Sequence, residues 1–313
     1  ALFGTDGEAL RGLQRAAATA DLILVPARIR HLGTERCLEV LRNMRDHLAP
    51  RAEIATGARA TEILTAGGAV AGVRLEDGSY IKCRYLVCAP GREGAGWFAA
   101  EAQRLGVGLA NNPVDIGVRV EVPAVVMEPL TSSLYESKLI YYSKTFDDQV
   151  RTFCVCPGGE VVVENNDGIL TVNGHSYAER RTDRTNFALL VSKNFTEPFR
   201  EPLAYGRYIA TLANMLGGGV LVQRLGDLLA GRRSSEKRIQ KGMVQPTLRD
   251  ATPGDLSLVL PYRHLSSILE MLQALDKVAP GVYSRHSLLY GVEVKFYSLR
   301  VALNPHLETA LKN

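Results

Sequence analysis

Three short strings bring together residue types that do chemistry. In Thr152-Phe153-Cys154-Val155-Cys156-Pro157-Gly158-Gly159 the two cysteines are two apart, so on a strand both thiols face one way. Such a pair can pack behind a site, contact a substrate, or act in redox chemistry. With His175 it could also supply three metal ligands. Zinc sites, however, usually present Cys-x-x-Cys pairs on turns with a second pair elsewhere, and Cys37, Cys83 and Cys88 offer none, so no metal is expected. Gly174-His175-Ser176-Tyr177-Ala178 is close to the Gly-x-Ser-x-Gly nucleophile elbow, which keeps open a serine hydrolase using Ser176. The following Glu179-Arg180-Arg181-Thr182-Asp183 is too polar for the buried helix that stiffens such an elbow, and no triad partner stands out among His264, His286 and His306. The third string, Gly91-Arg92-Glu93-Gly94-Ala95-Gly96, sits between a strand pattern and an apparent helix. Its glycine spacing is the reverse of Gly-x-Gly-x-x-Gly, so it reads as a tight turn rather than a phosphate cradle.

These strings need elements to hold them. Cys37, Leu38, Leu41, Met44 and Leu48 recur at helical spacing within residues 34–48, which predicts an amphipathic helix. After Pro50 the spacing shortens to runs at 52–56, 58–65, 70–75 and 79–82, divided by Gly67-Gly68 and Asp77-Gly78, the pattern of a β-meander. Tyr85-Leu86-Val87-Cys88-Ala89, ended by Pro90-Gly91, reads as a strand of a buried sheet. Beyond Pro113, Ile116, Val118, Val120 and Val122 alternate with Arg119 and Glu121, and strands follow at 151–156, 160–165, 169–173 and 187–192. The Asn166-Asp167-Gly168 turn joins two of them, so this part should be a mostly antiparallel sheet. Helices are expected at 203–216 and 264–278.

The 313 residues suffice for two cores, and 46% hydrophobic with 22% charged residues is an ordinary globular balance. A net charge of +4, with basic residues interspersed among acidic ones, gives no reason to expect nucleic acid as a partner. Five cysteines do not form a secretory disulfide framework, and no run approaches a membrane span or a signal peptide. A cytoplasmic location with no membrane insertion is the resulting expectation.

Several strings resemble the FAD-dependent dehydrogenases related to the glutathione-reductase-type flavoproteins. Those that carry the resemblance are His31-Leu32-Gly33-Thr34, Leu86-Val87-Cys88-Ala89-Pro90-Gly91, residues 115–121, 152–159 and 173–177, Val222-Gln223-Arg224-Leu225-Gly226-Asp227, Gln245-Pro246-Thr247 and residues 290–298. The Phe-Cys-x-Cys-Pro-Gly-Gly and Asn-Gly-x-Ser strings are the most specific. The family's N-terminal Gly-x-Gly-x-x-Gly unit and C-terminal Gly-Asp flavin motif have no counterpart here, so the resemblance implies a fragment of a longer flavoprotein.

The implied fold is α/β plus α+β. An incomplete FAD/NAD(P)-binding domain of helix, meander and buried strand (1–110) would be followed by an inserted, mainly antiparallel β substrate domain (111–285) and a return towards the first domain (286–313). By resemblance, FAD would lie against Ala60, Thr61, Ala89, Pro90 and Gly91. The substrate or flavin face would comprise Arg119, Pro157, Gly158, Gly159, Asn173, Gly174 and Ser176, with His175 and Cys156 as catalytic candidates. Histidine commonly moves protons near neutral pH, which is why His175 is singled out. The implied activity is an FAD-dependent oxidoreductase acting on a small molecule, with FAD bound by the parent protein and held poorly by this chain alone. A cofactor-free binding scaffold is the alternative.

Overall fold

The alternation at 114–123 builds a strand with two unlike faces. Val114, Ile116, Val118, Val120 and Val122 form one, and Asp115, Arg119 and Glu121 lie on the other, all of them buried. Alternation of apolar with charged residues commonly leaves the charged face in water; here a further layer of structure covers these charges. The computed structural model describes residues 2–311 except 92, 111, 194, 196–201, 296, 298 and 299. The chain separates into two units: Ala1–Val40 with Val114–Lys193 and Leu203–Lys295, and Leu41–Pro113 with Asn194–Pro202 and Phe296–Asn313.

In chain order the main elements of the first unit are α1 (Gly7–Thr19), β1 (Ile23–Val25), β2 (Val114–Pro123), α2 (Ala124–Leu134), β3 (Lys138–Tyr142), β4 (Gln149–Pro157), β5 (Glu160–Asn166), β6 (Ile169–His175), β7 (Arg184–Lys193), α3 (Pro202–Gly217), β8 (Leu221–Arg224), β9 (Thr252–Pro253), α4 (Tyr262–Leu275) and β10 (Leu288–Lys295). Eight strands form one sheet in the order β9-β8-β10-β2-β7-β4-β3-β1, antiparallel throughout except for β8 with β9. On the valine face, α2 and α4 pack across β2, β4 and β7, burying Met127, Leu130, Ile268, Met271 and Leu272. The opposite face is covered by the β5–β6 hairpin, which packs against β2, β4, β7 and β10. Between hairpin and sheet lies a cluster of Val161, Val172, Val222, Ile239, Leu288 and Tyr290. Here hydrophobic burial holds the hairpin down, and the charged residues sit beside that cluster.

Two bulges break the alternation, one on each side of β2. On β10, Tyr290 pairs with Arg119 and Glu293 with Gly117, so three steps on β10 match two on β2. On β4, Phe153 pairs with Ala188 and Cys156 with Asn186, again three steps against two. An extra residue shifts every later side chain to the other face. Glu293, Lys295 and Cys156 are thereby brought onto the hairpin-covered face that also carries Arg119.

In the second unit, strands Ala60–Ala66, Ala69–Leu75 and Tyr80–Lys82 form the expected meander. Helix Ala95–Arg104 satisfies the backbone of its edge strand: the Glu101 carboxylate accepts from Ile63 N at 2.7 Å, Arg104 Nη2 donates to Ile63 O at 2.7 Å, and Trp97 Nε1 donates to Thr61 O at 2.8 Å. Trp97 thus braces the meander. Three expectations for this region require correction. Residues 52–56 form turns and coil, not a strand. Residues 85–89 form coil unpaired with any described strand, and Val87 is 92% exposed, so the buried-sheet reading fails. Their apolar character marks a segment that could be sandwiched, but a strand also needs a ladder partner. Finally, the helix expected at 34–48 forms as a short 3₁₀ turn followed by Cys37–Leu48, but Leu38, Leu41, Met44 and Leu48 are exposed.

Candidate functional site

Arg119 organises the hairpin-covered face from below. Its side chain is wholly buried, and all five guanidinium N–H groups have partners: Glu293 Oε2 and Oε1 at 2.9 and 3.1 Å, Asn186 Oδ1 at 2.6 Å, Cys154 O at 3.2 Å and Asn173 Oδ1 at 3.4 Å. These acceptors come from β10, β7, β4 and β6. One fixed fork therefore sets the relative positions of four strands. Burial works against the Arg119 charge, but the Glu293 carboxylate outweighs it and holds the proton more firmly than usual. Lys295, on the same face, lies 3.0 Å from Glu293 and 3.8 Å from Glu164, which also accepts a 3.1 Å hydrogen bond from Asn173 Nδ2. The ammonium and the Arg151 guanidinium both approach the Phe153 ring, at 5.7 and 4.7 Å. Asn186 Nδ2 is buried without a partner among the described residues.

At the β4 bulge Cys154 adopts a left-handed conformation, with φ of 46°, unusual for a residue with a side chain. This turn, rather than the straight-strand spacing, brings its Sγ to 3.8 Å from that of Cys156. The Cys154 thiol is brought down to about 6, first by its hydrogen bond with Cys156 and then by the Arg119 charge, against the opposing effect of burial. Cys156 is pushed up by the same hydrogen bond and by burial. The Cys156 hydrogen bond and the Arg119 charge thus favour the thiolate at Cys154, while burial and the same hydrogen bond favour the thiol at Cys156. The sequence put Cys156 forward, and the geometry adds Cys154 as the more reactive sulfur.

The remaining face residues gather at the open end of the hairpin. Pro157 ends β4, Gly158 takes the left-handed turn with φ of 64°, and Gly159 donates its N–H to Cys156 O. Asn173, Gly174 and His175 close β6, where His175 pairs with Glu160 and meets Tyr177 edge to face. Gly174 has no room for a side chain: a Cβ would lie 2.1 Å from Arg119 Nη1 and 2.2 Å from Asn186 Oδ1. Ser176 is held by the 31–36 segment, its carbonyl accepting from Thr34 N and Oγ1, while Ala178 N donates to Glu35. Residues 176–183 form no helix, and Ser176 is 7% exposed. The nucleophile-elbow reading is therefore overturned, because an elbow requires a strand-turn-helix that presents its serine. Among the described residues no group of three His, Cys, Asp or Glu is arranged to hold a metal ion.

Two further buried groups were not singled out from the sequence. Glu136 is half-buried and accepts hydrogen bonds from the backbone of Cys154 and Val155; burial raises its carboxyl above the usual range. Glu121, fully buried, accepts from Thr247 Oγ1 and the Tyr290 hydroxyl, yet desolvation still raises its carboxyl. A carboxyl raised on folding keeps a proton that the unfolded chain has released, so stability falls as pH rises from the ordinary carboxylate range towards the raised value. Glu121→Gln, locked neutral, should flatten that slope and stay within about 1.5 kcal/mol of the parent at pH 5. Urea unfolding at several pH values measures this, and an unchanged slope would assign it to another group.

The residues expected to hold FAD lie in the second unit. Ala89, Pro90 and Gly91 line a cavity of about 750 Å³, together with Phe98, Leu303 and others, whereas Ala60 and Thr61 do not line it. None of the cavity's lining residues is lysine or arginine; Arg92 lies outside the described residues. A mostly apolar wall accepts a ring system; Gly91 and Ala95, where helix Ala95–Arg104 begins, also line it, but no described lining residue is a lysine or arginine that could meet a dinucleotide's diphosphate. Among the described residues no helix is long and apolar enough to cross a membrane.

Comparison with known proteins places this architecture. An uncharacterised protein of Clostridium beijerinckii is 28% identical over 306 residues, covering 89% of this chain and 55% of the relative, so the chain spans about half the length of the curated relative it matches. Residues 113–296, which run from β2 to β10 and make up more than half the chain, match the family described as FAD-dependent protein, C-terminal domain-like. The matched region contains the Arg119 cluster and every strand of its sheet except β1, and the chain belongs to that family.

Proposed function

We propose that the parent protein is an FAD-dependent oxidoreductase and that the sheet unit is its substrate-handling part. The observation that carries this reading is the ionic array around Arg119, where two cations, two carboxylates and a low-pKa thiol are fixed on one face of a sheet. Such preorganised charge orients a polar small molecule at little reorganisation cost. Arg119 acts as a positioning residue, since its donors are all used. Lys295 and the unpartnered Asn186 amide are the groups proposed to meet substrate, Asn173 being held by Arg119, Glu164 and Gly174 N as a second positioning residue, and His175 at the hairpin end is the proposed proton carrier. Pro157, Gly158, Gly159, Gly174 and Ser176 shape the rim.

FAD would supply the hydride chemistry in the parent protein. In this chain the proposed contacts are Ala89, Pro90 and Gly91, with the Ala60–Thr61 main chain nearby, and no described lysine or arginine lines the cavity to meet the diphosphate. The second unit of this chain is accordingly proposed to hold FAD weakly. The chain purified with FAD and passed through gel filtration should lose its visible flavin absorbance, whereas the parent protein should keep it and be reduced by its substrate. A parent protein that holds no flavin would overturn the oxidoreductase reading. Lys295→Met in the flavin-loaded parent should raise KM more than it lowers kcat, as expected for a group that binds rather than reacts.

A further inference from the structure

We propose that Cys154 and Cys156 form a thiol–disulfide exchange couple that reduces small, accessible disulfides and closes to an intramolecular disulfide. The proposal is independent of flavin and rests on three geometric features. The sulfurs are 3.8 Å apart, already in contact and less than 2 Å from the roughly 2.05 Å of a disulfide. The bulge and the left-handed Cys154 backbone hold both on one face, although a regular strand would not turn Cys156 this way. One sulfur is partly exposed and the other buried behind it, as an attacking thiol and a resolving thiol require. The cationic Arg119 below supports the thiolate form of Cys154, and Glu293 from β10 and Glu136 from the segment after α2 are the acidic groups that act on the pair.

The chemistry balances without another reactant. The Cys154 thiolate attacks one sulfur of the incoming disulfide, whose S–S bond breaks, and the first half leaves as a thiolate and takes up a proton. Cys156 then releases its proton and attacks Cys154 Sγ. The mixed disulfide breaks, and the second half leaves as a thiol carrying that proton. Two electrons pass from the protein dithiol to the substrate disulfide, and the Cys154–Cys156 bond remains. A small dithiol reductant restores the starting state by the same steps in reverse. A thiolate present at mildly acidic pH reacts when ordinary thiols are protonated, though its lower basicity gives back part of the gain.

Oxidised glutathione is the probe. The full chain, reduced and then exposed to it, should lose two hydrogens in mass at this pair. Peptide mapping should find Cys154 linked to Cys156, with no glutathione retained on either. With Cys37, Cys83 and Cys88 replaced by serine, Cys156→Ser should trap one glutathione on Cys154, and Cys154→Ser should remain unmodified over the same time. Alkylation of Cys154 with iodoacetamide at pH 6 should run roughly tenfold faster than that of N-acetylcysteine and level off above pH 7. Two separate glutathione adducts, or no reaction at either sulfur in the wild-type chain, would overturn the proposal. Since that readout uses the wild-type protein, it stands even if a cysteine variant folds poorly.

Discussion

Replacing Arg119 by leucine is expected to destabilise the sheet unit by about 3–5 kcal/mol, the usual cost of leaving a buried charge without its partner. The magnitude follows from what would remain: Glu293, wholly buried, would keep among the described residues only Lys295 at 3.0 Å, and the Asn186, Asn173 and Cys154 oxygens would each lose a donor. The pair's own net contribution is a different quantity, because desolvating two ions offsets most of their attraction. The double variant Arg119→Leu/Glu293→Gln should therefore be at least about 1 kcal/mol more stable than Arg119→Leu alone. Urea unfolding of the four corners of this cycle measures the coupling. A single-variant cost under about 1 kcal/mol would mean that the array is loosely held and does not organise the face. A second readout separates positioning from simple stability: without the nearby guanidinium, the Cys154 thiol should titrate higher, and its alkylation at pH 6 should slow while the protein remains folded.

How much of this was legible in the sequence depends on whether local pattern or distant pairing decides the structure. The strand at 114–123, the Asp167-Gly168 hairpin, the meander and the helix at Pro202–Gly217 follow from periodicity and turn residues, and each forms close to its expected place. Alternation also separated Arg119 and Glu121 from the valines. It could not show that this second face would be buried, because the hairpin that covers it is contributed from fifty residues further on. The helix at Ala124–Leu134 was missed for a local reason: Pro129 lies inside it and argues for a break. The two bulges were the larger obstacle. Each shifts one side-chain phase by a single residue, and only the pairing with β2 and β7 reveals where. Glu293 therefore entered the site through geometry, and Cys154 took its place beside Arg119 there, while Asn173, Gly174 and both cysteines were already visible as parts of specific strings. Residues 85–89 failed in the opposite sense, since an apolar run reports an ability to be buried and says nothing about which strand will pair with it.

Gly174→Ala should destabilise by about 3 kcal/mol, whereas Gly12→Ala should stabilise by about 0.5–1 kcal/mol, although each adds one methyl group in place of hydrogen. Gly12 lies within α1 with nothing inside 4 Å of its would-be Cβ, so the change only removes unfolded-state entropy and improves helix propensity. At Gly174 the new carbon would stand 2.1 Å from Arg119 Nη1 and 2.2 Å from Asn186 Oδ1. An exposed arginine would swing aside, but this guanidinium is tied to Glu293, Cys154 and Asn173 and wholly buried, so movement means breaking the ion pair. The alternative is for β6 to lift, separating Asn173 from Arg119 and drawing the Gly174 carbonyl away from the Cys154 sulfur, now 3.9 Å from it. Both routes disturb the thiol pair, so Gly174→Ala should slow disulfide closure with oxidised glutathione as well as lower the urea midpoint. Equal stability of Gly174→Ala and the parent would show that the hairpin sits farther from the sheet than these distances require.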